Sequence, residues 1–416
     1  MNFITEAISQ NKQWETGRME FPRTSGPLVQ RESFARLEAS AKTKFITIIR
    51  GMRRVGKSVM VRQLLQKMID RGANPKRVCW FEFDRAMGAT REDLNSLIRF
   101  FLSQGADTIV LDEIHFVSHW QDILKRHYDR TDVKFIAAGS CALELDRRSA
   151  ESLAGRFDMI KLLPFSFSEY LVLKGKAVPK SELEKIERAS EMAAECDSYM
   201  RSTGFPEAIL QGGEEREKYI RSAVIEPVFY KDIPATFPNA KPDMLLQVLE
   251  LLAGTVGGTF QHQSIASVVG CSHPALSESV MILERSLLVK TLYNQTSSLL
   301  KQRRTSKKIA FADNGLLSVL NPQVATGFLA ENAVWQSLQA THFFRDPQGH
   351  EVDLLLPEKK LAIEVKYQQS ITPSDEKNLL YFLQRHPGWK GVLITKDGQK
   401  EGRVAHIPLW KWLLEN

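Results

Sequence analysis

Phe45-Ile-Thr-Ile-Ile-Arg50-Gly51-Met52-Arg53-Arg54-Val55-Gly56-Lys57-Ser58-Val59 decides how the first half of this chain is read. Phe45–Ile49 is a short continuous apolar run, the pattern of a strand buried on both faces. Gly51 to Ser58 fits G-x-x-x-x-G-K-[ST] without deviation. The match follows a strand and opens a helix, and that context separates a phosphate-binding loop from an ordinary strand-to-helix turn containing Gly and Lys. The two glycines let backbone N–H groups turn inward around a β-phosphate, and the helix N-terminus adds partial positive charge. Lys57 is expected to reach the β- and γ-phosphates and the Ser58 hydroxyl to hold Mg²⁺, with Met52, Arg53, Arg54, Val55 and Val59 completing the nucleotide-binding loop.

About 55 residues on, Thr108-Ile-Val-Leu-Asp112-Glu113 supplies the second half of such a site. The apolar residues form a strand with Asp112 at its C-terminal end, the edge that faces the ligand in doubly wound sheets. Asp112 is expected to hold Mg²⁺ through water, and Glu113 to orient or deprotonate the attacking water. Alone, two acids at a strand end read as solvated charges; paired with the loop they read as catalytic. Gly139-Ser140 ends the next strand, where Ser140 is either a γ-phosphate sensor or a turn residue. Arg156, just before Phe157–Leu163, has the chemistry to stabilise a transferring phosphoryl group.

Outward from these motifs, strands at Val78–Phe83, Thr108–Leu111, Lys134–Ala138 and Phe157–Leu163 alternate with helices at Lys57–Arg71, Glu92–Gln104 and Trp120–Tyr128, predicting a parallel α/β sheet. Ser181–Met200, Tyr219–Tyr230 and Pro242–Leu252 read as helices. Ser264–Val269, a turn at Gly270-Cys-Ser272, a helix from Pro274 to Arg285 and a strand at Leu287–Tyr293 outline a winged helix-turn-helix, with His273, Ser277 and Ser279 offered to a groove. Glu331–Gln339 and Asp375–Arg385 read as helices, and Val352–Leu356, Leu361–Val365 and Gly391–Ile394 as strands. The expected division is a loosely structured lead-in at 1–30, a P-loop core at 31–175, a helical region at 176–255, a winged helix at 256–320 and a last α/β domain at 321–416.

With 416 residues, 43% of them hydrophobic, the chain has material for about three domains. Its net charge of +7 permits an anionic partner without requiring one. Four scattered cysteines, without a C-x-x-C pair, point away from a zinc or redox motif and towards a reducing compartment. A polar start and the lack of a long apolar run lead to the expectation of a cytoplasmic protein without membrane contact.

Two further constellations carry chemistry. Asp353 is followed by Glu364-Val-Lys366, whose Glu and Lys alternate to one strand face, with Glu331 on the preceding helix. Two carboxylates suit a divalent metal, and the lysine suits orienting or deprotonating a water. The same pattern also occurs on ordinary strands. Lys301-Gln-Arg-Arg-Thr-Ser-Lys-Lys308 concentrates five basic residues where a wing would meet a phosphate backbone, making Lys301, Arg303, Arg304, Lys307 and Lys308 the candidate DNA contacts. A solvated loop is the alternative.

These strings, together with Leu163-Pro-Phe-Ser-Phe-Ser-Glu-Tyr170 and Phe311-Ala-Asp-Asn-Gly-Leu316, resemble a group of prokaryotic AAA+-like ATPases that carry a winged helix and a C-terminal restriction-endonuclease-like domain. The resemblance implies a catalytic glutamate beside the metal aspartate, an arginine-finger or sensor role for Arg156, and homo-oligomers such as rings. The resulting expectation is an ATP- and Mg²⁺-dependent ATPase that binds and remodels DNA. An ATP-dependent nuclease and a nucleotide-controlled signalling or scaffold protein are the competing readings.

Overall fold

The computed structural model describes residues 3–23, 26–85, 88–140, 153–296 and 305–416. The chain divides into two compact units: Met1–Leu163 with Glu226–Asn239, and Pro164–Ile225 with Ala240–Asn416.

In the first unit the predicted strands form as β1 (Ile46–Gly51), β2 (Val78–Glu82), β3 (Thr108–Asp112), β4 (Lys134–Gly139) and β5 (Phe157–Leu162). They lie in the order β2-β3-β4-β1-β5, every neighbouring pair parallel. Nearly every residue of β1, β3 and β4 is buried, which explains continuous apolar runs in place of alternation. Because the strands are parallel, the ends of β1, β4 and β3 share one edge, and the residues following them converge there.

Residues 1–30 differ from the expected loose lead-in. Phe3–Gln10 is a helix whose Ala7 is fully buried. The residues after it cover the outer edge of β2 with side-chain amides. Asn11 accepts from the Trp80 N–H and donates to its carbonyl, both at 2.7 Å; Gln10 accepts from the Glu82 N–H at 2.7 Å; and Gln13 and Trp14 donate to the Val78 carbonyl. Edge strands expose unpaired backbone groups, and here amides satisfy them at every second residue. Asn11 is 1% exposed. Asn11→Leu should therefore lower stability by about 1–3 kcal/mol, the cost of stranding buried backbone groups, as a fall in the urea midpoint; an unchanged midpoint would mean water satisfies the edge equally well.

The second unit holds a mixed sheet of seven strands among the described residues: β6 (Val289–Asn294), β7 (Lys307–Phe311), β8 (His342–Arg345), β9 (Glu351–Leu356), β10 (Leu361–Lys366), β11 (Lys390–Thr395) and β12 (Val404–Pro408). Their order is β12-β11-β10-β9-β8-β6-β7. Helices His262–Val269 and His273–Arg285 precede β6. Gly270, at φ +72°, ends the first, and the Ser272 hydroxyl caps the second by accepting from the Ala275 N–H.

Residues 226–239 pack with the first unit, and β6 and β7 belong to the same sheet as the C-terminal strands. Among the described residues no helix is long and apolar enough to cross a membrane.

Candidate functional site

β1 ends at Gly51, and the loop to helix Lys57–Asp70 folds over the sheet edge. A Cβ at Gly51 would lie 2.5 Å from the Leu162 carbonyl oxygen, too close for any other residue. Gly56 has φ +95°, a backbone state that L side chains rarely adopt. Met52 and Val55 are buried and anchor the loop. Arg31 braces it from below, donating to the carbonyls of Val55 at 2.6 Å and Leu163 at 2.7 Å. Lys57 is 4% exposed; its Nζ donates to the carbonyls of Gly51 (3.1 Å) and Met52 (3.0 Å) and lies 3.7 Å from Glu113 Oε1.

Asp112 ends β3 fully buried. One carboxylate oxygen accepts from the Glu113 N–H at 3.0 Å. Oδ2 is buried with no hydrogen-bond partner among the described residues. Burial and then the Glu113 charge push this carboxyl up to about 7, against the pull of Ser58 and Lys57. A buried acceptor with an unused lone pair beside a hydroxyl fits a hard divalent cation, so Ser58 and Asp112 would hold Mg²⁺. When bound, Mg²⁺ supplies charge neutralisation to phosphate oxygens.

Glu113 takes the left-handed backbone (φ +51°), uncommon outside glycine. Its Oε2 accepts from the Ser140 N–H at 3.2 Å and lies 3.2 Å from His115 Nδ1, while Oε1 faces Lys57. Burial raises this carboxyl, but Lys57, His115 and Arg53 outweigh it, and the net direction is down. His115 is lowered: burial disfavours its cation and outweighs the attraction of Glu113 and Asp232. Its Nε2 lies 3.3 Å from the Ser140 hydroxyl. Glu113, His115 and Ser140 therefore form one polar set across the ends of β3 and β4. His115 carries no signal in the sequence, because a lone histidine after an Asp-Glu pair has no motif of its own.

Arg53 and Arg54 diverge. Arg54 has φ +65°. Arg53 is paired with the fully buried Asp232 at 2.8 Å and with Asp84 at 3.3 Å, and Asp84 in turn holds Lys231 at 2.6 Å. Burial works against the Arg53 cation, but the Asp232 hydrogen bond and charge dominate and hold it well above its usual range. Segment 226–239 is thereby tied to the phosphate loop itself. No local pattern marks Asp232, which lies 179 residues from its partner.

Arg156 lies elsewhere. Its carbonyl accepts from the Ile46 N–H, at the start of β1, and its guanidinium pairs with Asp129 at 2.9 Å. β1 and β5 are parallel with Ile46 opposite Phe157 and Gly51 opposite Leu162. At ~3.3 Å per residue, Arg156 is roughly 16 Å down the sheet from the loop. Within one copy of the chain it does not serve the phosphate site.

In the second unit, Asp353, Glu331, Glu364 and Lys366 do converge, but with an unexpected member. Lys308, expected on a phosphate-facing wing, is 3% exposed on β7 and donates to Glu331 at 2.9 Å and Asp353 at 3.2 Å, with Glu351 2.6 Å away. The Lys366 ammonium is bonded to Glu364 at 2.6 Å. Burial disfavours that cation, but Glu364 and Asp353 outweigh it and raise its pKa, the wrong direction for a base. Lys307 is partly buried beside His262, and Ser279 is buried with its hydroxyl on the Ala275 carbonyl, so neither Lys308 nor Ser279 faces a nucleic acid. Lys301, Arg303 and Arg304 lie outside the described residues.

The loop after β1, its lysine and the carboxylate pair at the end of β3, two strands away, define a P-loop nucleotide site in an AAA+-like α/β core. Residues 43–171 match a family described as an AAA domain; 194–326 and 326–412 match two domains of unknown function, DUF8612 and DUF4143. An uncharacterized protein of Methanocaldococcus jannaschii is 26% identical over 412 residues, covering 89% of this chain and 85% of its own. One from Haemophilus influenzae is 25% identical over 412 residues, covering 94% and 100%. Among solved structures, the Aeropyrum pernix ORC1 protein in complex with DNA aligns with 71% of this chain and 94% of its own (12% identity, TM-score 0.30). DnaA from Aquifex aeolicus, bound to AMPPCP, aligns with 61% and 86% (11% identity, TM-score 0.25).

Proposed function

We propose that this chain is an AAA+-like ATPase that hydrolyses ATP at the 51–58 loop and uses the cycle to bind and remodel DNA. The observation that carries the ATPase reading is the juxtaposition of Lys57, Ser58, Asp112 and Glu113 at one sheet edge, with Glu113 accepting from the Ser140 N–H and lying beside His115. In this reading Lys57 holds the β- and γ-phosphates, Ser58 and Asp112 hold Mg²⁺, and Glu113 orients and deprotonates water. Gly51 to Val59 forms the phosphate cradle and Ser140 senses the γ-phosphate. Arg156, remote from the loop of its own chain, acts on the ATP of a neighbouring copy if the protein forms a ring.

DNA contact is supported by the two helices joined through Gly270 and followed by the antiparallel β6–β7 pair, a winged-helix outline, and by the basic run between those strands. Burial of Lys308 shortens that run, so the phosphate contacts fall to Lys301, Arg303, Arg304 and the half-buried Lys307. The test is ATP turnover with duplex, single-stranded and branched DNA, in wild type and in Lys301→Ala/Arg303→Ala/Arg304→Ala. Wild type should be stimulated by at least one of the three. The triple variant should bind DNA more weakly whatever its sequence. Its plot of log affinity against log salt should be flatter by ~0.9 for each phosphate that is no longer neutralised. Its DNA-free turnover should be normal. Absence of stimulation, or an unchanged salt slope, would favour the nucleotide-controlled scaffold.

A further inference from the structure

A cluster of charged, largely buried side chains lies in the second unit, outside the nucleotide site. Glu351 and Asp353 come from β9, Glu331 from helix Thr326–Leu338 and Glu364 from β10. Asp353 Oδ2 accepts from the Val365 N–H at 2.9 Å, and its Oδ1 from Lys308 Nζ at 3.2 Å. Lys308 Nζ has Glu331 at 2.9 Å and Glu351 at 2.6 Å as its other partners. Two of the ammonium's three protons go to Glu331 and Asp353, and Glu351 faces it as an ion pair. A divalent ion bound by oxygens sits in a similar nest of acids. Both Asp353 oxygens are engaged and the middle of the cluster carries a cationic nitrogen, so the residues present do not fit a metal as well. Glu364 adds a second observation: its Oε2 is buried with no hydrogen-bond partner among the described residues, on the strand that pairs with the Asp353 strand. The cluster thus has more acceptor capacity than Lys308 uses.

We propose that this carboxylate cluster is a cation site whose cation is the chain's own Lys308 ammonium, delivered by β7 to the place a divalent metal would take. The lysine neutralises the acids, locks β7 onto the sheet through side chains from β9 and the Thr326–Leu338 helix, and leaves this unit without metal-dependent phosphodiester chemistry. The unit then contributes binding surface, and the nuclease reading loses its centre. A lysine in a surface-like basic run would ordinarily be solvated; burial here requires at least one of its partners to stay ionised.

The experiment measures Mn²⁺ binding to nucleotide-free full-length protein by electron paramagnetic resonance, with thermal unfolding alongside. Nucleotide is omitted so that the phosphate loop does not contribute a site. Wild type should bind no Mn²⁺ at this cluster and show no shift in Tm with the ion. Lys308→Met, close in volume but neutral, should melt lower than wild type and acquire one Mn²⁺, which raises its Tm by about 5 °C or more at saturating ion. Asp353→Asn added to Lys308→Met should remove that Mn²⁺, and Lys308→Arg should stay metal-free. Stoichiometric Mn²⁺ on wild type that disappears in Asp353→Asn would overturn the proposal, because Lys308 would then not be the resident cation. A folded Lys308→Met that binds no Mn²⁺ would also overturn it, because the cluster would be an ion pair with no capacity as a cation site. If Lys308→Met does not fold, the wild-type and Asp353→Asn comparison decides.

Discussion

Glu113→Gln is expected to keep ATP bound while turnover falls by about 10²–10⁴-fold, the usual contribution of a positioned general base. The substitution keeps the shape and leaves one carbonyl oxygen to accept from the Ser140 N–H, so the sheet edge should hold. What disappears is the negative charge facing Lys57 and the ability to take a proton. In the wild type, Lys57, His115 and Arg53 hold the Glu113 pKa down against the effect of burial, which keeps the oxygens free to accept from water and makes the group a weaker base than an unpaired buried carboxylate. Fluorescent-nucleotide titration and phosphate release, run on the same preparation, separate the two quantities. Loss of binding with turnover would mean that Glu113 acts by holding Lys57, 3.7 Å away, and not through water. Wild-type turnover would remove it from the chemistry altogether.

Asp232→Ala should lower stability by about 3–5 kcal/mol, because it strands the largely buried guanidinium of Arg53. Asp84, at 3.3 Å, is the remaining partner and is already engaged by Lys231. Since Arg53 belongs to the phosphate loop, ATP affinity should fall along with the denaturation midpoint. The paired variant Arg53→Met/Asp232→Leu separates the two effects: removing both charges should restore much of the stability, as replacing a whole buried ion pair often does. Affinity that stays low in the paired variant would show that the loop needs this tether, and full recovery would make the pair a folding contact only. A midpoint unchanged in Asp232→Ala would contradict the burial of this pair.

Much of the first unit is legible from local pattern. Strands buried on both faces must be apolar nearly throughout, and a phosphate loop needs Gly51 where a Cβ would strike Leu162 and Gly56 where φ is positive. These are constraints on single residues and their neighbours, so they leave marks in the sequence. Asp112 and Glu113 are readable for the same reason: a strand end and a spacing suffice to place them. The N-terminal amides are not, since Asn11 and Gln13 look like any polar residues until β2 offers its unpaired edge.

The second unit reverses the charge reading. Lys307-Lys308 in a basic run reads as solvated, on a wing or a loop. In the fold it is the start of strand β7, because Glu331, Glu351 and Asp353, 23 to 45 residues away, neutralise Lys308 and offset the cost of burying it. Asp232 and Arg53 repeat the pattern across 179 residues. The backbone geometry of the nucleotide loop, and the parallel sheet that presents it, follow from the order of residues alone, through steric and apolar requirements that are local. Which charges are buried, which are paired and which meet solvent does not follow from that order. The energy of a charge depends on what the rest of the chain brings within a few ångströms of it, and that is settled by the folded arrangement.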